Sequence, residues 1–266
     1  DRLGPNHRGR TELHTTGGVA NGVLGGDLVL FGGADPDFDL PALWQLLFEL
    51  RQRGVHTVNG GLVLDRTLFR PARIDIGLPP FDEAPEWPYN VIPDALMLNG
   101  HLMGLALSSA DSGAVTARLA PPLDGVSIDA GALVPTDKPC ADWDEDWLPP
   151  RSAETSPGQW RITLQGGFPR RCDAQAALQL LDRNVITERQ VRAVWTSLGG
   201  RFTAAPGSVR EAGLPAGALR ISRHDSRPWG EALGGRGYAV SERRPVDEHQ
   251  LVVFGPGDSI TVGAAD

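Results

Sequence analysis

The chain has 266 residues, 41% of them hydrophobic, with a formal net charge of −8 and a pI near 5.3. A chain of this size can bury one large core or two small ones. Its acidic balance and scattered arginines argue against nucleic acid as a partner. No apolar run reaches the roughly 18 residues that a membrane helix needs, and no charged-then-apolar leader predicts a signal peptide.

Residues 26–69 carry the clearest pattern of elements. A short apolar strand over residues 27–31 ends at glycines. A helix follows, with Asp39 at its N-cap and Pro41 in its first turn. Its apolar face repeats at helical spacing and consists of Leu43, Leu46, Leu47 and Leu50. Strands over residues 55–58 and 62–64 flank Asn59-Gly60-Gly61, which predicts a β-hairpin.

The middle of the chain begins with a proline-rich crossing over residues 78–93, which excludes regular helix and predicts an extended linker. Alternating apolar residues then predict a mostly β module over residues 95–168. Helices are predicted over residues 173–181 and 187–198. The second of these has Thr187 and Gln190 in capping-box spacing.

Several segments, in the same order along the chain, resemble one protein family. They read GDLVLFGGADPDF, VNGGLVLDRTLF, YNVIPDALMLNGHL, LQGGFPRRC and ISRHDSRPWGEAL. The ordered set resembles the class C, low-molecular-mass penicillin-binding proteins. These are the serine D-alanyl-D-alanine carboxypeptidase/endopeptidases of penicillin-binding protein 4 type. The resemblance covers about residues 1–233.

This resemblance implies a mixed α+β fold. We expect a βαββ insert domain, a mostly β insert domain, and remnants of a β-lactamase/transpeptidase-like catalytic domain. The predicted boundaries are 1–25 and 217–233 for the catalytic remnants, 26–80 and 173–216 for the α/β insert, 81–172 for the β insert, and 234–266 for a divergent tail. For that tail a shifted reading frame is one hypothesis, and a natural divergent terminus is the other.

The catalytic motifs of such enzymes are not found in the chain. Penicillin-recognising serine peptidases use Ser-x-x-Lys, Ser-x-Asn and Lys-Thr-Gly, which together require two lysines. Lys138 is the only lysine, and it fits neither lysine motif. We therefore expect a fragment that lacks the catalytic residues and is inactive alone. The alternatives are a non-catalytic module that binds the cell wall or a partner protein and, less favoured, an esterase.

The resemblance also implies a substrate, a compartment and a disulfide. The substrate is the peptidoglycan stem peptide. In the family, an acidic residue that precedes an aromatic one helps to hold the side-chain amine of this peptide. Asp82 or Glu83 with Tyr89 matches that pattern imperfectly, so simple decoration of a proline-rich loop is an equal alternative. In the implied periplasm Cys140 and Cys172 would form a disulfide, whereas a cytosolic protein would bury them as free thiols.

Three other motifs suggest chemistry, and each has a plainer interpretation. His224, Asp225 and Ser226 are contiguous, so their side chains diverge, and a helix start is favoured over a catalytic relay. Gly257-Asp258-Ser259-Ile260 resembles the first block of GDSL-type esterases, but only seven residues follow Ser259, and a chance match is favoured. An acidic run with interleaved tryptophans predicts a solvated turn rather than a Ca²⁺ loop, and it contains Asp142, Asp144, Glu145 and Asp146. We predict no metal site and no cofactor, and the oligomeric state stays open.

Overall fold

The structure, a computed structural model, describes residues 6–80, 82–229 and 231. The described part is a mixed α+β fold with two α-helices and four small sheets. The first half of its elements comprises β1 (Arg10–Thr15), β2 (Val19–Ala20), β3 (Val23–Leu24), β4 (Leu28–Gly33), α1 (Leu40–Gln52), β5 (Thr57–Val58), β6 (Leu62–Asp65), β7 (Met103–Ser109) and β8 (Val115–Leu119). The second half comprises β9 (Val126–Thr136), β10 (Trp147–Ser156), β11 (Gln159–Pro169), β12 (Asp173–Leu178), α2 (Arg183–Ser197), β13 (Arg201–Phe202), β14 (Arg210–Glu211) and β15 (Leu219–Asp225).

The sheets divide into two groups. A five-stranded sheet has the order β14-β6-β4-β1-β15, and a four-stranded sheet has the order β13-β5-β3-β2. Two three-stranded sheets, β10-β11-β9 and β12-β7-β8, form from the middle of the chain. The predicted domain boundaries stay a prediction. Both ends of the described chain, β1 and β15, lie in the same sheet as β4 and β6.

Helix α1 confirms the sequence prediction in detail. Asp39 Oδ1 accepts a hydrogen bond from the Ala42 amide at 2.9 Å, which satisfies one of the free donors at the helix start. The leucines at helical spacing are all buried, and they are Leu43, Leu46, Leu47 and Leu50. They join a core beneath the five-stranded sheet, to which α2 contributes Val191 and Trp195.

The predicted hairpin at Asn59-Gly60-Gly61 is wrong. β5 pairs in parallel with β3 and β13, whereas β6 pairs in parallel with β4 and β14, so the turn passes the chain from one sheet to another. The Asn59 amide donates to the Leu24 carbonyl and the Gly60 amide donates to the Gly26 carbonyl, so the turn is bonded to the segment between β3 and β4. A Cβ at Gly60 would lie 2.5 Å from the Gly26 carbonyl carbon, which explains the glycine.

The predicted helix over residues 173–181 is also wrong, because this segment forms strand β12. β12 pairs antiparallel with β7, and its buried side chains alternate, Ala174 and Leu178 pointing inward. Helix α2 begins earlier than predicted, at Arg183. Asp182 is its N-cap and accepts from the Asn184 amide at 2.9 Å. Thr187 lies inside the helix and donates its hydroxyl to the Arg183 carbonyl.

A second core fills the space between the two three-stranded sheets. It is built mainly from β7, β11 and the residues that follow β12, and Ile186 of α2 reaches into it. Helix α2 therefore joins both cores. A disulfide joins Cys140 to Cys172, with their Cα atoms 5.2 Å apart, and confirms the predicted pairing.

Candidate functional site

The residues predicted to hold a stem peptide lie together on the loop over residues 82–90. Asp82 and Glu83 are exposed, and so is Tyr89. Asp82 Oδ1 accepts from the Ala84 amide at 2.9 Å and from Asn90 Nδ2 at 2.6 Å. Both donors are uncharged, and the Asp82 carboxylate is exposed at the surface.

Tyr89 faces the same carboxylate. Desolvation of the hydroxyl, together with the charge of Asp82 and a hydrogen bond to it, raises the pKa of Tyr89, and Glu86 adds to the effect. The structure thus brings Asp82 and Tyr89 together despite their imperfect spacing.

The sequence analysis missed Glu86, which anchors this loop. Its side chain is 5% exposed, and its Oε1 accepts from the indole nitrogen of Trp147 at 3.1 Å. Its backbone carbonyl accepts from the Gln179 amide at 2.7 Å. Glu86 Oε2 is buried and has no hydrogen-bond partner in the described part of the chain. The loop is therefore pinned to the second core from both its side chain and its backbone.

An aromatic cluster supports the same loop. Trp87 lies 6.0 Å from Trp143, centroid to centroid, and Trp143 packs edge-on against Trp147 at 5.5 Å. Trp143 also contacts Phe168 of β11. Trp143 directly follows the turn that begins at Cys140, so the disulfide to Cys172 also restrains the segment that carries Trp143. These contacts agree with a turn anchored by its tryptophans.

A buried ionic cluster holds the chain just after the loop. Asp94 Oδ1 and Oδ2 accept from Arg66 Nη1 at 2.7 and 2.8 Å. Asp94 Oδ2 also accepts from Arg183 Nη1 and from His101 Nε2, both at 2.9 Å. The side chains of all four residues are at most 2% exposed. We call Arg66, Asp94, His101 and Arg183 the Asp94 cluster.

Burial and charge set the protonation of this cluster. Although burial opposes it, the hydrogen bond from His101 and the two arginine charges lower the pKa of Asp94 to about 2. Burial lowers the pKa of His101, and Arg66 and Arg183 lower it further. His101 Nδ1 is buried and has no hydrogen-bond partner among the residues that the structure describes, so an added proton there would have no acceptor among them. Asp94 is thus ionised and His101 neutral.

The Asp94 cluster joins the two ends of the segment from Arg66 to Asp94, which contains the candidate loop. Arg66 follows β6, and Arg183 at the start of α2 donates to the Ala72 carbonyl and pairs with Asp75. Arg73 pairs with Asp75 and also with the N-cap residue Asp182. The segment that carries the candidate loop is therefore tied to α2 at several points.

The side chains of His224, Asp225 and Ser226 each have a different partner, as expected for contiguous residues whose side chains diverge. His224 Nδ1 lies 2.7 Å from Asp35 Oδ2, and Asp225 pairs with Arg223. Ser226 is buried, and its hydroxyl accepts from the Gly9 amide and donates to the Arg227 carbonyl. β15 extends through Asp225, so that residue does not cap a helix.

The acidic run holds the single lysine. Lys138 Nζ lies 3.0 Å from Glu145 and 2.8 Å from Asp146. Within residues 6–80, 82–229 and 231, the structure brings together no group of three or more His, Cys, Asp or Glu side chains able to hold a metal. Ser259, the basis of the esterase interpretation, lies outside the described residues.

Comparison with known proteins places the chain. Residues 1–234 match the sequence model of the D-Ala-D-Ala carboxypeptidase 3 (S13) family. The chain belongs to the S13 family. A curated relative, D-alanyl-D-alanine carboxypeptidase DacB of Haemophilus influenzae, is 41% identical over 59 residues, which are 22% of this chain and 12% of that protein.

Solved structures share the fold of this S13 protein. Penicillin-binding protein 4 (dacB) of H. influenzae aligns with a TM-score of 0.66 and 19% identity, covering 88% of this chain and 50% of its own. The same protein complexed with a novel β-lactam aligns with a TM-score of 0.60 and 17% identity, covering 88% of this chain and 48% of its own. The chain thus spans about half the length of these solved relatives. None of the helices that the structure describes is long and apolar enough to cross a bilayer.

Proposed function

We propose that this chain is part of a serine-type D-alanyl-D-alanine carboxypeptidase/endopeptidase that acts on peptidoglycan stem peptides in the periplasm. The observation that carries the proposal is the match of residues 1–234 to the S13 family. The disulfide between Cys140 and Cys172 supports an oxidising compartment.

The chain as it stands performs no acylation in this proposal. The acylation chemistry needs an activated serine with a lysine one helical turn away, and a second lysine on a strand. Lys138 is the single lysine of the sequence and is occupied by Glu145 and Asp146. The described residues instead supply a scaffold, on which the loop over residues 82–90 presents its carboxylates.

In this proposal, that loop binds the cationic side chain of the stem peptide. Asp82 and Glu83 place two exposed carboxylates next to each other, and the Asp82 carboxylate is bonded to uncharged donors. A carboxylate at the surface favours an amine by charge complementarity, and Tyr89 adds an aromatic face beside it.

Labelling with fluorescent penicillin tests the activity. We expect no covalent label on this chain, with the H. influenzae penicillin-binding protein 4 as the positive control. Labelling of this chain that survives denaturation and is blocked by unlabelled penicillin would overturn the proposed inactivity.

Titration with a stem peptide tests the loop. Tryptophan fluorescence should report binding of a peptide with a free side-chain amine, because Trp87 and Trp143 lie beside the loop. Acetylation of that amine or Asp82→Asn should weaken binding, while Asp137→Asn, at a side chain 96% exposed, should not. Equal affinity of the free and acetylated peptides would contradict the role of the carboxylate.

A further inference from the structure

The C-terminal end of edge strand β15 is held by two ion pairs to the loop between β4 and α1. His224 Nδ1 lies 2.7 Å from Asp35 Oδ2. Arg227 bonds to Asp37 through its backbone amide at 2.8 Å and through its guanidinium at 2.9 and 3.2 Å. We call these four residues the β15 clasp. It matters because β15 lies at the end of its sheet, paired with β1.

The carboxylate of Asp35 is fixed in place, so the clasp has a rigid side. The side chain of Asp35 is 1% exposed. Its Oδ2 also accepts from the Thr11 hydroxyl at 3.2 Å, and its Oδ1 accepts from the Asp37 amide at 3.1 Å. Asp35 therefore cannot turn toward water if His224 changes its charge.

The groups around His224 are mainly acidic on the side of the β4–α1 loop. That loop supplies Asp35, Asp37 and Asp39, which all act on the imidazole. On β1, Thr11 lies directly opposite His224. The ring of Phe38 lies 6.5 Å from the imidazole, and Gln45 of α1 lines the same surface. The adjacent charged positions are Arg10 and Glu12 on β1 and Arg223, Asp225 and Arg227 on the chain of His224 itself. Arg227 is engaged by Asp37 and Arg223 by Asp225, so two of these cations already have partners.

The residues just beyond β15 are bonded to the residues that precede β1. The Ser226 amide donates to the Gly9 carbonyl at 2.9 Å, and the Trp229 amide donates to the His7 carbonyl at 2.8 Å. The rings of His7 and Trp229 pack edge to face. Residues 226–229 are therefore held to the residues before β1 by contacts that lie next to the clasp in sequence.

We propose that the β15 clasp is a pH-sensitive device, in which charged His224 holds residues 224–229 against the start of the chain and loss of that charge loosens them. When the imidazole is neutral, its N–H still donates to the Asp35 carboxylate, but the attraction between two opposite charges is lost, so Asp35 holds it less firmly. The hydrogen bond to Asp35, followed by the charges of Asp35, Asp39 and Asp37, raises the pKa of His224 despite partial burial. A group whose pKa is raised in the fold stabilises it at low pH, and this contribution is lost as the pH rises through the folded value.

Amide hydrogen exchange of the intact chain tests the proposal. Protection of the Ser226 and Trp229 amides, expressed relative to the unfolded chain at each pH, should fall about three- to tenfold between roughly pH 5.5 and pH 8.5, as expected for a weakened charge-assisted bond. His224→Gln keeps a side-chain donor for Asp35 but cannot titrate, so protection of these amides in this variant should not fall as the pH rises. His56→Gln is the matched control, because His56 Nδ1 contacts the Thr57 hydroxyl and not a carboxylate. It should behave as the wild type does.

Two results would overturn the clasp. One is a pH-dependent loss of protection in His224→Gln equal to that of the wild type. The other is an NMR titration of the His224 ring in the wild type that falls at or below the ordinary histidine value of about 6.5. The titration needs no substitution, so it decides the matter even if His224→Gln does not fold.

Discussion

Two histidine–aspartate pairs in this molecule have nearly the same geometry and opposite titration. His101 lies 2.9 Å from Asp94, and His224 lies 2.7 Å from Asp35. The pKa of His101 is lowered, because the pair is fully buried beside two arginines. The hydrogen bond to Asp35, followed by the charges of Asp35, Asp39 and Asp37, raises the pKa of His224, because burial opposes this less at a ring that is 26% exposed. The contact itself therefore does not decide the charge of the imidazole, whereas burial and the neighbouring charges do.

The largest expected effect comes from removing the buried carboxylate. Asp94→Ala leaves Arg66 and Arg183 without their central acceptor in a site from which water is excluded. Breaking a buried ionic group in this way costs about 3–5 kcal/mol in the free energy of unfolding. Urea unfolding measures it, with Asp137→Asn as an exposed control expected to stay within about 0.5 kcal/mol of the wild type. A loss below about 1 kcal/mol for Asp94→Ala would show that the Asp94 cluster contributes little.

The next largest effect is a loss of folding stability in acid that is caused by His101. An unfolded histidine titrates near its ordinary value, whereas folded His101 resists protonation, so the unfolded chain binds more protons and stability rises with pH. The contribution is present above about pH 6.5 and is lost as the pH falls below it. We expect the free energy of unfolding of the wild type, measured against His101→Gln, to decrease from about pH 7 to about pH 5. A difference that stays constant over this range would contradict a neutral, buried His101.

Asp94 adds a further step in stronger acid. Its pKa is lowered to about 2 in the fold, so its contribution is present above the ordinary value of about 4 and is lost as the pH falls toward 2. By linkage the contribution is on the order of 2 kcal/mol, and it acts in the same direction as that of His101. The Asp94 cluster thus weakens in acid, whereas the β15 clasp weakens in alkali.

Sequence patterns predicted the local features of this fold and missed the two pairs. Helix α1 was predictable because its N-cap at Asp39 and its leucine spacing both lie within one short segment. The Asp94 cluster was not, because Arg66 is 28 residues and Arg183 is 89 residues from Asp94 in sequence. The prediction of a helix at β12 failed for a related reason. Its three alanines fit a helix equally well, and only the pairing with β7 decides for a strand.

The candidate loop shows the same division. Asp82 and Tyr89 could be named from a family pattern, since they are close in sequence. Glu86 lies between them but carried no signal, because its partner Trp147 is 61 residues away. An acidic residue in a proline-rich loop is predicted to be exposed, and only the tertiary contact with the indole shows that it is buried.

The smallest and most specific effect tests the role of neighbouring charge at His224. Asp39→Ser keeps an N-cap side chain for α1, since serine caps helices about as well as aspartate, but removes one negative charge that acts on the imidazole. The NMR titration of His224 should move to lower pH, while that of His101 should not change, because Asp39 is not among the groups that perturb it. If Asp39→Ser leaves the His224 titration in place, the direct contact with Asp35 accounts for the raised pKa, and neighbouring charge does not explain the contrast between the two pairs.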